Sequence, residues 1–210
     1  MRNIKVAAGL LAIATGALFA AGCDPKASGS DQSADNTYDI SDKVSTLSLS
    51  GRGGNVTLTA SDGASVKVSE ELKYDDAKPK TSHSVDGGTL NLVDSGCGKD
   101  NCHVDYRIEL PAGTVVKIKT DGGDITGSGL GADATVNTNG GNIDLSYATP
   151  APLVDVTSSG GDVKVKVPAG PYEVDASTDG GNKTVSVQAV AGSAHKIKAK
   201  SGGGDVSVVS

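Results

Sequence analysis

The second half of the chain repeats one alternation of apolar and polar positions. Val116-Lys-Ile118-Lys-Thr120-Asp121, Ala134-Thr-Val136-Asn-Thr138-Asn139, Val154-Asp-Val156-Thr-Ser158-Ser159 and Val174-Asp-Ala176-Ser-Thr178-Asp179 share the form apolar-x-apolar-x-Thr/Ser-polar. Each runs into a glycine doublet. Most doublets are followed by a second short alternation, as in Asn142-Ile143-Asp-Leu145, Asp162-Val163-Lys-Val165 and Asp205-Val206-Ser-Val208. A period of two is the signature of strands with one buried face. From Tyr38 onward no stretch carries a helical period. Each unit therefore predicts a strand, a glycine corner, a second strand and a looser turn.

The doublets are Gly53-Gly54, Gly87-Gly88, Gly122-Gly123, Gly140-Gly141, Gly160-Gly161, Gly180-Gly181 and Gly203-Gly204. Between the third and the sixth, the second glycine advances by 18, 20 and 20 residues. A fixed period of this size marks a repeat architecture. The predicted fold class is all-β, a β-solenoid-like stack of short strands with Gly-Gly corners and a period of about 20 residues. Corners ask for positive φ and for close backbone approach, and glycine supplies both. Val116, Ile118, Val136, Val154, Val156 and Val174 are expected to line the interior, with Lys117, Lys119, Thr135, Asp155 and Asp175 in solvent. The pattern breaks at Lys183, where an apolar residue is due, and a bulge or slip is expected there. The intervals from Gly54 to Gly88 and from Gly88 to Gly123 are long. Their extra residues predict hairpin insertions in the N-terminal half that cap that end of the stack.

Composition narrows the interior. With 29 Gly, aromatics at 3%, no Trp and a lone Phe at position 19, the core has only Val, Ile, Leu, Ala, Thr and five tyrosines to draw on. The first 22 residues read as a signal peptide: Arg2 and Lys5, an uncharged run from Val6 to Ala21, then Ala20-Ala21-Gly22 ahead of Cys23. That junction resembles the lipobox of bacterial lipoproteins, although Ala20 stands where leucine is commonest. The resemblance implies a diacylglycerol thioether on Cys23, cleavage before it and acylation of the new amino group. The chain would then be held at the outer face of the cytoplasmic membrane, since two or more acyl chains anchor stably. In a two-membrane envelope, Asp24 resembles the signal for inner-membrane retention. Residues 23–37 have no apolar periodicity and read as a disordered, lipidated tether. The repeat domain is assigned to residues 38–210. Cleavage removes Arg2 and Lys5 from the 19 basic residues and nothing from the 25 acidic ones, leaving 17 against 25. Only Arg52 and Arg107 remain as arginines, which argues against nucleic-acid binding.

Tyr106-Arg-Ile108-Glu-Leu110-Pro111-Ala-Gly113, the following Val116-Lys-Ile118-Lys-Thr120-Asp121-Gly122-Gly123-Asp124-Ile125, and Val165-Lys-Val167-Pro168-Ala-Gly-Pro171-Tyr172-Glu-Val174 resemble the bacterial "putative adhesin" β-strand-repeat family of the DUF4097 type. The resemblance covers about residues 38 to 210. It implies a β-solenoid-like stack and a binding or adhesive role, and it carries over no catalytic residue.

Candidate chemistry is sparse. In an exported chain, Cys97 and Cys102 around a Gly-Lys-Asp-Asn turn read as a hairpin disulfide. The alternative adds His103 as a third metal ligand, but no fourth ligand is visible and the spacing is not a zinc spacing. His83, His103 and His195 are scattered. Gly127-Ser-Gly129-Leu-Gly131 lacks the lysine and strand-helix context of a phosphate loop and reads as a turn. Asp121, Asp124, Asp162, Asp179 and Asp205 beside the corners would stack in rows if the coils are in register. A calcium row and a hydrogen-bonded ladder diluted by Asn139, Asn142, Ser159 and Asn182 are the two readings, and the ladder is preferred. No cofactor, metal or catalytic residue is assigned. The expected function is a non-catalytic, lipid-anchored protein binding an unknown envelope or surface partner. The alternatives are a structural or envelope-signalling accessory and a polysaccharide-acting solenoid enzyme. The last would need an acidic cleft containing Arg52 or Arg107.

Overall fold

The computed structural model describes residues 32–99 and 101–210. Cys23, the signal peptide and most of the tether lie outside the described residues. The described residues contain strands and turns and no helix. Strands are numbered in chain order and form two nine-stranded sheets. The first runs β1 (Gln32–Ile40), β4 (Val66–Tyr74), β7 (Cys102–Pro111), β3 (Val56–Ser61), β9 (Ile125–Leu130), β11 (Ile143–Tyr147), β13 (Val163–Lys166), β18 (Val206–Val209), β15 (Lys183–Val185). The second runs β16 (Gln188–Ala189), β14 (Pro171–Thr178), β17 (Lys196–Ser201), β12 (Leu153–Ser158), β10 (Ala134–Thr138), β8 (Val115–Thr120), β2 (Thr46–Gly51), β6 (Thr89–Asp94), β5 (Thr81–Asp86). The apolar alternation of both sheets points inward. Leu47, Val116, Val136, Val154 and Ile197 from one sheet and Leu58, Ile125, Leu145, Val165 and Val208 from the other are all buried in a single core.

Successive strands within the repeats are parallel and in register: Val116 pairs with Ala134, Ala134 with Val154, Ile125 with Ile143 and Ile143 with Val163. At both ends, however, the coils do not stack in chain order. The C-terminal coil β17–β18 is wedged between β12–β13 and β14–β15. Likewise β2–β3 lies between β8–β9 and the β6–β7 layer. The equivalence of coils in the sequence says nothing about their order, because any two copies of one motif present the same complementary edges.

The corner geometry follows from the residues. Ser158 Oγ accepts from the N–H groups of Gly160 and Gly161 and donates to the Gly141 carbonyl at 2.8 Å. Ser201 repeats the arrangement with Gly203, Gly204 and the Gly161 carbonyl. The hydroxyl of the Thr/Ser position thus closes its own corner and ties it to the neighbouring coil. The second glycine of the doublet is required chiefly by crowding. A Cβ on Gly141 would strike the carbonyl of Gly123, and one on Gly161 that of Gly141. Positive φ is confined, among these corners, to Gly54 and Gly123. Gly87-Gly88 is not a corner. Both residues have positive φ, and they form the two-residue hairpin turn between antiparallel β5 and β6.

Two further expectations are corrected. The segment Gln32–Thr37 is not tether: it forms the first part of β1, paired antiparallel with β4 from Gln32↔Tyr74 to Ile40↔Val66. It lacks apolar periodicity because it is an edge strand at the end of the stack, where Asn36 and not an apolar residue faces inward to Glu70. Lys183 involves no slip either. It pairs with Val206, and Val185 with Val208, in unbroken register. Lys183 occupies an interior position, but on the last coil, where interior positions are open to solvent.

Candidate functional site

The acids and amides that follow the doublets, headed by Asp105, form one ladder along the stack; Asp121, Asn139, Ser159 and Asp179, which precede the doublets, lie outside it, and Asn139 donates to Asp121 at 3.3 Å. The N–H of Asn55 donates to Asp105 Oδ1 at 2.6 Å, that of Asp124 to Asn55 Oδ1 at 2.9 Å and that of Asn142 to Asp124 Oδ1 at 2.8 Å. It continues through Asp162 to Asn142, Asp205 to Asp162 and Asn182 to Asp205, at 2.8, 2.8 and 2.7 Å. In every rung one side-chain oxygen accepts a backbone N–H of the next coil. A carboxylate and an amide perform this task equally well, which explains why Asp and Asn interchange. Among the described residues no group of three or more His, Cys, Asp or Glu side chains is arranged to hold a metal ion.

The first rung differs from the others. Asp105 is buried, and Lys73 Nζ lies 2.8 Å from its Oδ2. Burial works against ionisation of Asp105. The hydrogen bonds from Lys73 and the Asn55 N–H outweigh it and hold the carboxyl below its usual range. Lys73 is pushed up, chiefly by its hydrogen bond to Asp105. Beside this pair the Cys97–Cys102 disulfide is formed, with Cα atoms 6.2 Å apart. A depression of 310 Å3 is lined there by Lys73, Tyr74, Asp75, Asn101, Cys102 and His103. With both sulfurs in the disulfide, no Cys-Cys-His ligand set exists.

The same end holds a polar plug that the sequence pattern did not reveal. Glu70 sits on β4 at an inward position, 3% exposed. Its carboxylate accepts from Tyr38 Oη at 2.7 Å, Thr81 Oγ1 at 2.8 Å and Asn36 Nδ2 at 3.0 Å. Tyr38 on β1 also stacks on His83 of β5, with ring centroids 4.2 Å apart, and so bridges the edges of the two sheets. Burial, reinforced by the hydrogen bond to Glu70, pushes the Tyr38 hydroxyl far above its usual range. The signal that could have found this site is the Glu70-Glu71 pair within an otherwise alternating strand. One of the two had to face inward.

The remaining candidates are dispersed. His195 Nδ1 lies 3.0 Å from the Ala151 carbonyl, remote in the fold from His83 and His103. Arg107 faces Glu71 at 3.5 Å across β4 and β7. Arg52 lines a shallow depression with Asp94, Asp121, Ser95 and Lys119. Arg52 thus has two carboxylates beside it in an open, shallow depression. The carboxylates, though, are engaged: Asp94 accepts from the N–H groups of Arg52 and Gly96 at 3.3 and 2.7 Å, and Asp121 accepts from Asn139 at 3.3 Å.

Two facing sheets of in-register parallel strands joined by Ser/Thr-x-Gly-Gly-Asp/Asn corners define a β-repeat stack. A family model described as Toastrack DUF4097 matches residues 105–210, half of the chain, and the chain belongs to this family. Among solved structures it is similar to a "putative cell adhesion protein" from Clostridium sporogenes, at 15% identity over 85% of this chain and 99% of the other, with a TM-score of 0.65. That likeness establishes the fold. A "putative adhesin" from Bacteroides fragilis matches at 16% identity over 84% and 97% of the two chains, with a TM-score of 0.35. A "putative lipid binding protein" from Parabacteroides distasonis matches at 12% over 84% and 97%, with a TM-score of 0.37. No curated protein matches the chain.

Proposed function

We propose that the chain is a non-catalytic, lipid-anchored protein of the outer face of the cytoplasmic membrane that binds an envelope or surface partner through its sheet faces. The observation that carries this reading is the pair of outer sheet faces, on which polar side chains recur in register from coil to coil. Repetitive faces of this kind suit extended partners. The Cys23 junction supports the anchor, and β1 beginning at Gln32 leaves residues 24–31 between the lipid and the first described strand. The name given to the Clostridium relative agrees with an adhesive role. A structural or envelope-signalling role uses the same anchor and the same faces.

Two measurements test the reading. Cys23→Ser is expected to move the protein from the membrane fraction to the soluble extracytoplasmic fraction, and an unchanged membrane fraction overturns the anchor. Lysine-directed crosslinking on intact cells is expected to capture a reproducible envelope partner through the sheet faces. Recovery of uncrosslinked protein alone overturns the binding role. The Arg52 depression favours a second reading, a polysaccharide-acting site. Release of new chain ends from envelope polysaccharide, abolished by Arg52→Ala, would establish it instead.

A further inference from the structure

The lysines on the outer face of the second sheet fall into two sets. Lys196, Lys198 and Lys200 on β17 are each within ion-pair distance of an acid: Glu173 at 4.0 Å, Asp155 at 3.1 Å and Asp175 at 3.2 Å. Lys117 and Lys119 on β8 are exposed, and among the described residues neither has an acid within 4.0 Å. The register gives them uncharged neighbours on both sides. Lys117 lies between Ser48 and Thr135, and Lys119 between Ser50 and Asn137. Among the described residues, these four side chains form no hydrogen bond within the protein. Together they line a shallow depression of 520 Å3.

Physical chemistry makes this arrangement selective. Two residues apart on one strand, the ammonium groups start from Cα atoms about 6.6 Å apart, and flanking strands lie about 4.8 Å to each side. The lysines repel each other and meet no compensating charge on the flanking strands. Three hydroxyls and one amide beside them are free to bond outward. Arg52 shares the next depression with Lys119, together with Asp94 and Asp121, so the unpaired positive charge is confined to Lys117 and Lys119. Asp155 is paired to Lys198; Asp94 and Asp121 lie only on the Arg52 side, where Asp94 accepts from the N–H groups of Arg52 and Gly96 and Asp121 from Asn139. On a chain with a net charge of −6, such a patch is matched by a ligand carrying two anions at similar spacing with hydrogen-bonding groups between them.

We propose that the face formed by β2, β8 and β10 binds an extended polyanionic polymer, with successive phosphate or carboxylate groups on Lys117 and Lys119. The proposal rests on the reading of the chain as an envelope-binding protein and names the chemistry of its partner.

The test uses the full chain immobilised against three soluble polymers: poly(glycerol phosphate), polygalacturonate and neutral dextran. At low salt, retention of at least one anionic polymer and not of dextran is expected, weakening as salt rises. The choice between the anionic polymers tells phosphate from carboxylate. Lys117→Gln/Lys119→Gln is expected to weaken retention roughly 30-fold, about fivefold for each lysine near a polyanion. The charge-matched Lys196→Gln/Lys198→Gln control is expected to leave it unchanged. Equal losses in the two double variants overturn the proposal, because retention then follows net charge alone. Retention indifferent to Lys117 and Lys119, or of dextran equally, overturns the proposal and leaves the envelope-binding reading standing. If no polymer is retained, the proposal fails. Envelope crosslinking then decides separately whether the broader reading fails with it.

Discussion

The two ends of the stack solve the same problem in opposite ways. Every coil exposes unpaired backbone and an apolar row to whatever lies beyond it. At the N-terminal end, the chain departs from its repeat: β1, β4 and β5 pair antiparallel with their neighbours, Glu70 gathers three donors, Tyr38 stacks on His83, and a disulfide secures the adjoining loop. At the C-terminal end the repeat simply stops. β15 is three exposed residues, and Val185 and Val190 are 39% and 40% exposed. Lys183 places a charge at an interior position of the last coil. One end is sealed by a dedicated structure; the other has only the two-residue strand β16 on β14 and, on β15, that interior charge.

The largest expected effect breaks the sealed end. Glu70→Ala leaves the Tyr38, Asn36 and Thr81 donors without their acceptor, and about 3 kcal/mol of stability should be lost, read as a lower urea midpoint. Removing Glu70 with no loss would show that the plug is incidental to the cap. Next comes the disulfide: Cys97→Ser/Cys102→Ser should cost about 2 kcal/mol on the loop-entropy account. Hydrogen exchange should then rise first in β7 and β4, with β14–β18 unaffected. Uniform loosening of both ends would contradict the separation drawn between them.

The open end is tested by association rather than by stability. Lys183→Val restores the apolar row at the last coil and removes the charge that guards it. Light scattering should detect concentration-dependent dimers or larger species, with the thermal midpoint nearly unchanged. A variant that remains monomeric at high concentration would show that the short β15 edge is protection enough without the charge.

How much of this was legible beforehand divides along the same line. In the middle of the stack every position is dictated twice, by its own coil and by its neighbours. There the alternation correctly placed Val116, Ile118, Val136, Val154 and Val156 inside, and the Asp/Asn rungs followed from the doublets. At the ends the neighbour is missing, and local pattern misleads. Residues Gln32–Thr37 read as tether because an edge strand needs no apolar row, and Lys183 reads as a slip because its exposure depends on nothing packing beyond it. Coil order was illegible altogether: repeats with identical edges accept one another in any sequence, so the wedging of β2–β3 and β17–β18 leaves no trace in composition or spacing. The Lys117–Lys119 patch was visible as two solvent-facing lysines. That they alone on β8 lack acid partners depends on which strands flank them.

The smallest expected effect sits where the ladder meets the sealed end. Asp105 is the first rung, and it alone among the rungs is also paired to a lysine, Lys73. Its carboxyl is held below its usual range in the folded protein. Unfolding therefore takes up protons at acid pH: the stabilisation is complete above the unfolded value of about 3.9 and is lost as pH falls through the lower folded value. Asp105→Asn keeps an oxygen for the Asn55 N–H, as Asn142 does for Asp162, but abolishes the ion pair. Because Lys73 is 37% exposed at its side chain, solvent screens the pair, and the loss at neutral pH should stay below about 1 kcal/mol. Unfolding midpoints measured from pH 7 down to 2 should show the two proteins separated above pH 4 and converging below it. A constant separation across the range would mean that the amide fails as a rung, and that the ladder, unlike its interior, demands a carboxylate where it joins the cap.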